Sequence, residues 1–213
     1  QCLRLGIRLS AAVSGLHRRG VIHKEIKPGN VLVNPLTGEV RLTGFGIATR
    51  LPRQRQSPEA PEFIAGTLPY MAPEQTGRMN RSIDSRSDLY SLGVTLYETL
   101  TGALPFSASD PMEWVHCHIA RQPVAPCERR KDIPPSVSMI IMKLLAKTPE
   151  ERYQTAAGIQ HDLQRCLHAW ETEHRIGEFP LGEYDTPDRL VTPEKLYGRE
   201  REVEMVLAAF ASV

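Results

Sequence analysis

The chain has 213 residues, a formal net charge of +1, 24% charged and 41% hydrophobic residues, enough for one good core plus an appendage. That balance excludes the basic surface of a nucleic-acid-binding domain. No apolar run approaches the ~20 residues of a membrane span and no signal peptide opens the chain, so a cytoplasmic protein with no membrane or nucleic-acid partner is expected.

The first element in chain order is a helix. Leu5, Leu9, Ala12, Val13 and Leu16 recur at helical spacing, and Gly20 closes the run. Val31-Leu32-Val33 and Val40-Arg41-Leu42 are short strand-like runs around a Pro35/Gly38 turn, a hairpin signal. Residues 50–62 hold three prolines and read as a mobile loop, with Arg50, Arg53 and Arg55 solvated and Ser57 a loop serine. Ser87–Leu100 differs in kind. Its apolar residues wrap most of the helix circumference, which marks a buried helix, and Gly102 stops it.

Three amphipathic helices are expected next. One lies near Pro111–Ala120 and one follows Pro134-Pro135 with Val137, Ile140, Ile141, Leu144 and Leu145 on a face. The third carries Ile159, Leu163, Leu167 and Trp170. The cysteines (Cys2, Cys117, Cys127, Cys166) form no C-x-x-C pair and read as reduced thiols. His116-Cys117-His118 does not read as a zinc site, because adjacent helical residues point to different faces. The expected division is a domain over 1–168, a polar Pro/Gly-punctuated linker over 169–195 and a last amphipathic helix over 196–213. The fold class is α+β, mainly α.

Five motifs in order carry a resemblance. They are HKEIKPGNVLVN from His23, Gly44-Phe45-Gly46, Ala72-Pro73-Glu74 within GTLPYMAPEQ, SDLYSLGVTLYETLTGALPF from Ser87, and KTPEERYQTA from Lys147. They resemble the catalytic loop, the Asp-Phe-Gly site, the end of the activation segment, the central helix and the closing Arg motif of eukaryotic-like bacterial Ser/Thr protein kinases. No G-x-G-x-x-G or V-A-I-K-like strand precedes them, so the large lobe alone is expected, with its hairpin at the catalytic loop.

The resemblance implies ATP and Mg²⁺ as cofactors, and a protein substrate or regulatory protein as partner. It puts Glu25 where the family has the aspartate that orients the substrate hydroxyl. Lys27 stands beside the transferred phosphoryl group, and Thr67 bonds both. Asn30 matches a Mg²⁺ ligand. Gly44 replaces the aspartate that binds metal, while Phe45 and Gly46 keep the packing part of that motif. His23 and Asp88 belong to the catalytic-loop scaffold, Glu74 and Arg152 to a buried pair, and Tyr70 to the substrate-docking wall. Lys24 replaces an arginine that forks onto phosphate, offering only a point charge.

Two departures bear on chemistry. Glu25 keeps the charge on a longer arm, and a ~1 Å displacement can cost ~100-fold when alignment is the main catalytic device. Gly44 has no ligand atom, whereas Mg²⁺ favours carboxylates. Glu25 cannot serve as both base and replacement metal ligand. Three readings stand: an active Ser/Thr kinase domain with reduced chemistry, a pseudokinase regulatory or interaction module, or a degenerate product without a selected role.

The final string LYGREREVEMVLAAF resembles the entry helix of AAA-type P-loop ATPase domains, with a plain capping helix as the alternative. Kinase followed by ATPase resembles large bacterial hybrid signalling proteins, which implies further ATPase, sensor and histidine-kinase modules downstream.

Overall fold

The computed structural model describes residues 1–50, 66–79 and 81–186. The central helix is α2 (Ser85–Thr101), buried without a break from Arg86 to Tyr97. Its N-terminus is capped by Asp84, whose side chain accepts from Arg86 N, and Gly102 ends it at φ 75°. That left-handed turn is one glycine adopts without steric cost. The all-round apolar pattern is explained by what surrounds α2.

Helix α1 (Cys2–Arg18) lies along α6 (Ala156–Glu173), and both meet α2 or α5 (Pro135–Leu144). Leu9 and Val13 of α1, Leu89, Leu92 and Leu96 of α2, Ile140, Ile141 and Leu144 of α5, and Ile159 and Leu163 of α6 share one core. Burying each such side chain contributes ~1.5–3 kcal/mol. Between α2 and α5 come α3 (Pro111–Ile119), capped by Asp110 through Met112 N and Glu113 N, and the single turn α4 (Pro126–Arg129). The three amphipathic helices lie where the apolar spacing places them; α4 is too short to leave a period.

The strands are few and short. Strands β2 (Val31–Val33) and β3 (Val40–Leu42) pair antiparallel as the expected hairpin, with Leu32 opposite Arg41. A second pair joins β1 (Val21–Ile22) to β4 (Thr49–Arg50), so Arg50 ends a strand rather than starting a loop. Residues 51–62, with Arg53, Arg55 and Ser57, lie outside the described residues, as does the expected helix over 196–213.

The expected linker needs correction. The boundary at 168 falls inside α6, which runs to Glu173. The chain then turns at His174 (φ 51°) and lays Ile176, Phe179 and Leu181 against the core. Three apolar side chains have more to gain from that surface than from water. Among the described residues, no helix is long and apolar enough to cross a membrane.

Candidate active site

The loop from His23 to Asn30 is held from below by α2. Asp88, fully buried, accepts from His23 N at 2.8 Å through Oδ2 and from Lys24 N at 2.7 Å through Oδ1, while His17 Nε2 stands 2.8 Å from Oδ2. These bonds sustain a costly backbone. Lys24 has φ 67°, a left-handed conformation unfavourable for a residue with a Cβ. Gln75 holds the next peptide of the same residue, its Nε2 donating to Lys24 O at 3.0 Å and its Oε1 accepting from Ala72 N at 3.0 Å. Burial lowers the Lys24 ammonium below the ordinary lysine range, against the opposing charge of Asp88.

Above this scaffold, Glu25, Lys27 and Thr67 close a triangle. Lys27 Nζ donates to Glu25 Oε1 at 2.7 Å and to Thr67 Oγ1 at 2.7 Å, and Thr67 Oγ1 donates to Glu25 Oε1 at 2.8 Å. The Lys27 hydrogen bond holds the Glu25 carboxyl below the usual range; partial burial opposes this and Thr67 adds to it. Such a carboxylate is ionised at neutral pH and is a correspondingly poor proton acceptor.

Asn30 ends a tight turn and turns its side chain inward, Nδ2 donating to Glu25 O at 2.8 Å. Gly44 faces it at φ 81°. A Cβ at Gly44 would lie 2.5 Å from Asn30 Cγ and Nδ2 and 2.6 Å from Oδ1. The Asn30 amide therefore occupies the space where a side chain at 44 would begin. Phe45 and Gly46 follow in a 3₁₀ turn, with the Phe45 ring tilted against His23 at 4.7 Å. His23 Nε2 in turn lies 2.9 Å from Thr43 O.

Farther out, Arg152 forks onto Glu74 at 2.7 and 2.9 Å, and Ser87 Oγ donates to the same carboxylate at 2.7 Å. Burial pushes the Glu74 carboxyl up, but the hydrogen bonds and charge of Arg152 outweigh it and leave a net lowering. Tyr70 Oη donates to Glu98 Oε2 at 2.6 Å. His118, buried on α3, bridges Tyr90 Oη (2.9 Å) and Leu68 O (2.8 Å).

The structure thus brings Glu25, Lys27, Thr67, Asn30 and Gly44 to one place, with Phe45 and Gly46 beside them. His23 and Asp88 lie beneath, and Glu74 and Arg152 form a separate anchor. The sequence assigns no role to Gln75, His17 or His118. A glutamine after Ala-Pro-Glu and a histidine in a helix's last turn have no periodicity to mark them, whereas His118 was visible only as part of a histidine-cysteine-histidine string.

The loop over 23–30, an Ala-Pro-Glu segment anchored by a buried arginine and a central buried helix agree with a partial protein kinase fold. The chain belongs to the protein kinase family: the protein kinase domain model matches residues 4–164. It is 38% identical over 154 residues to the serine/threonine-protein kinase PknB of Mycobacterium tuberculosis, covering 72% of this chain and 24% of that protein. It is also 32% identical over 200 residues to a probable serine/threonine-protein kinase of Corynebacterium efficiens, covering 92% and 30%. A third relative, the hybrid signal transduction histidine kinase G of Dictyostelium discoideum, is 35% identical over 176 residues, covering 73% and 5%. The chain spans about a quarter of the length of the mycobacterial relatives (24%). Two of these relatives are named as serine/threonine-protein kinases, and protein kinases as a family use ATP and Mg²⁺ and act on or through other proteins.

Proposed function

We propose that this lobe descends from an ATP-dependent Ser/Thr protein kinase, transfers phosphate poorly, and serves as a regulatory or interaction module of a multidomain signalling protein. The observation that carries this reading is at Gly44. The position has no carboxylate, and the Asn30 amide fills the adjoining space. The remaining donors are Asn30, a neutral amide, and Glu25, already bound to Lys27 and Thr67. Among the described residues, no group of three or more His, Cys, Asp or Glu side chains could hold a metal ion. This donor set does not fit Mg²⁺, which favours carboxylates supplemented by phosphates and water.

A second reading, a slow but active kinase, draws support from the Glu25–Lys27–Thr67 triangle. Those three groups stand close enough to orient a substrate hydroxyl, with Glu25 as the weak base. We place the protein in the cytoplasm, and read residues 196–213 as the start of an AAA-type ATPase domain. The likeness to a hybrid signal transduction histidine kinase supports a place among proteins that join kinase and further signalling modules.

The test joins this lobe to a protein-kinase small lobe and measures phosphate transfer from labelled ATP with Mg²⁺, beside the Glu25→Asp, Gly44→Asp double variant. Silence in the parent with transfer by the double variant is the expected result. Equal transfer by both would sink the impaired reading in favour of the second.

A further inference from the structure

The segment after α6 is built into the lobe by a dense set of contacts. Ser136 Oγ on α5 donates to Gly177 O at 2.6 Å. The Arg165 guanidinium stacks 4.4 Å over the Phe179 ring. Gly182 N donates to Asp162 Oδ2 at 2.8 Å, the oxygen that also receives Tyr153 Oη at 2.6 Å. Asp185 then closes the segment. Its Oδ2 accepts from Gln154 N at 2.6 Å, and its Oδ1 accepts from Thr155 N at 2.8 Å and Thr155 Oγ1 at 2.7 Å.

Asp185 thereby sits at the N-terminus of α6, where the helix dipole and free N–H groups favour an anion. Thr155 caps the same helix by accepting from Gly158 N at 3.0 Å. Gly158 makes the approach feasible. A Cβ there would fall 2.5, 2.6 and 2.7 Å from Oδ1, Cβ and Cγ of Asp185, so the whole side chain would have to leave.

The residues held in this way adjoin the activation-segment anchor. Tyr153 and Gln154 directly follow Arg152. Gln154 Nε2 donates to Arg152 O at 2.9 Å and to Pro149 O at 3.1 Å, and its Oε1 accepts from Arg86 Nη1 at 3.1 Å. Arg152 Nη1 donates to Arg86 O at 3.1 Å while forking onto Glu74. One hydrogen-bonded path therefore runs from Asp185 through Gln154 and Arg152 to Glu74.

We propose that residues 175–185 act as a clasp on the turn over 147–155, so that displacing Asp185 loosens the activation segment over 66–76 through the Arg152–Glu74 anchor. This coupling does not depend on whether the lobe transfers phosphate. It gives residues 175–185 a mechanical hold on the activation segment.

The test is amide hydrogen exchange on the 213-residue chain with three single variants. Asp185→Ala removes the three acceptor contacts. Gly158→Ala expels the same carboxylate by steric conflict while improving helix propensity, so a weakened α6 cannot account for its effect. Glu183→Ala alters an exposed clasp residue whose carboxylate meets Arg165 at 3.4 Å. Asp185→Ala and Gly158→Ala are each expected to speed exchange over 147–158 and 66–76 about tenfold, as loss of charge-assisted hydrogen bonds does locally. Exchange over 88–97 in α2 should stay at the parent rate in both, and Glu183→Ala should match the parent throughout. Loosening confined to 175–186, with 66–76 unchanged, overturns the proposal. So does an equal rise across α2, which would mean general unfolding in place of a relay.

Discussion

Arg152 holds Glu74 with both prongs of its guanidinium, at 2.7 and 2.9 Å, and the two side chains are 0% and 1% exposed. The remaining donors are also used. Arg152 Nε reaches Ala146 O at 2.8 Å and Nη2 reaches Lys147 O at 3.0 Å. Removing one partner of a buried pair leaves the other charge without compensation, at a cost of ~3–5 kcal/mol. Arg152→Ala is therefore expected to lower the urea midpoint and the Tm sharply. A Tm within error of the parent would show that this anchor does not stabilise the lobe.

His118 predicts an acid-sensitive contribution to stability. Its imidazole packs among Tyr90, Phe106 and Trp114, with the Lys147 ammonium above Phe106 at 4.6 Å. Burial pushes its pKa down to about 4; the Leu68 carbonyl opposes this and the Lys147 charge adds to it. The folded protein thus refuses a proton that the unfolded chain takes up near pH 6.5. Stability from this group is complete above pH 6.5 and falls as the pH drops towards 4, by about 3 kcal/mol over that window. Urea midpoints taken across pH 4–7 should slope more steeply in the parent than in His118→Gln. Parallel slopes would contradict the assignment.

Gly44 and Asn30 should show coupled energetics. Gly44→Ala carries a left-handed conformation penalty of ~1–2 kcal/mol and also collides with the Asn30 amide. Asn30→Ala loses one hydrogen bond, to Glu25 O, worth ~1 kcal/mol. In the double variant the collision is gone but the backbone penalty remains. Its destabilisation should fall short of the summed single effects by ~0.5–3 kcal/mol, as for residues in contact. Simple additivity over the four chains would mean the two positions do not share the space.

The parts of this lobe that were readable in the sequence are those with a period or a stop signal. The unbroken apolar wrapping of Leu89 to Leu100 announces a helix without a solvent face, and Gly102 ends it. Val31–Val33 and Val40–Leu42 give a hairpin because a turn of Pro35 and Gly38 separates them. The β1–β4 pair is different, since two-residue strands have no periodicity and their partners lie far apart in the chain. The clasp was hidden for a related reason. Ile176, Phe179 and Leu181 fit neither a helical nor an alternating spacing, and the surrounding prolines, glycines and charges read as a linker. At the site, residue types and order show which groups assemble, but that Asn30 fills the space beside Gly44 depends on a backbone angle no composition reveals.

Lys24 carries one further consequence. Its unfavourable φ of 67° is held by Asp88 from the central helix and by Gln75 from beyond the Ala-Pro-Glu segment, with no contribution from the acidic groups of the site itself. The shape of the loop and its chemistry are thus stored in different residues. The side chain at position 25 can change while Asp88 and Gln75 keep the Lys24 turn in form, so the outline the loop presents to its neighbours is set apart from the carboxylate it carries.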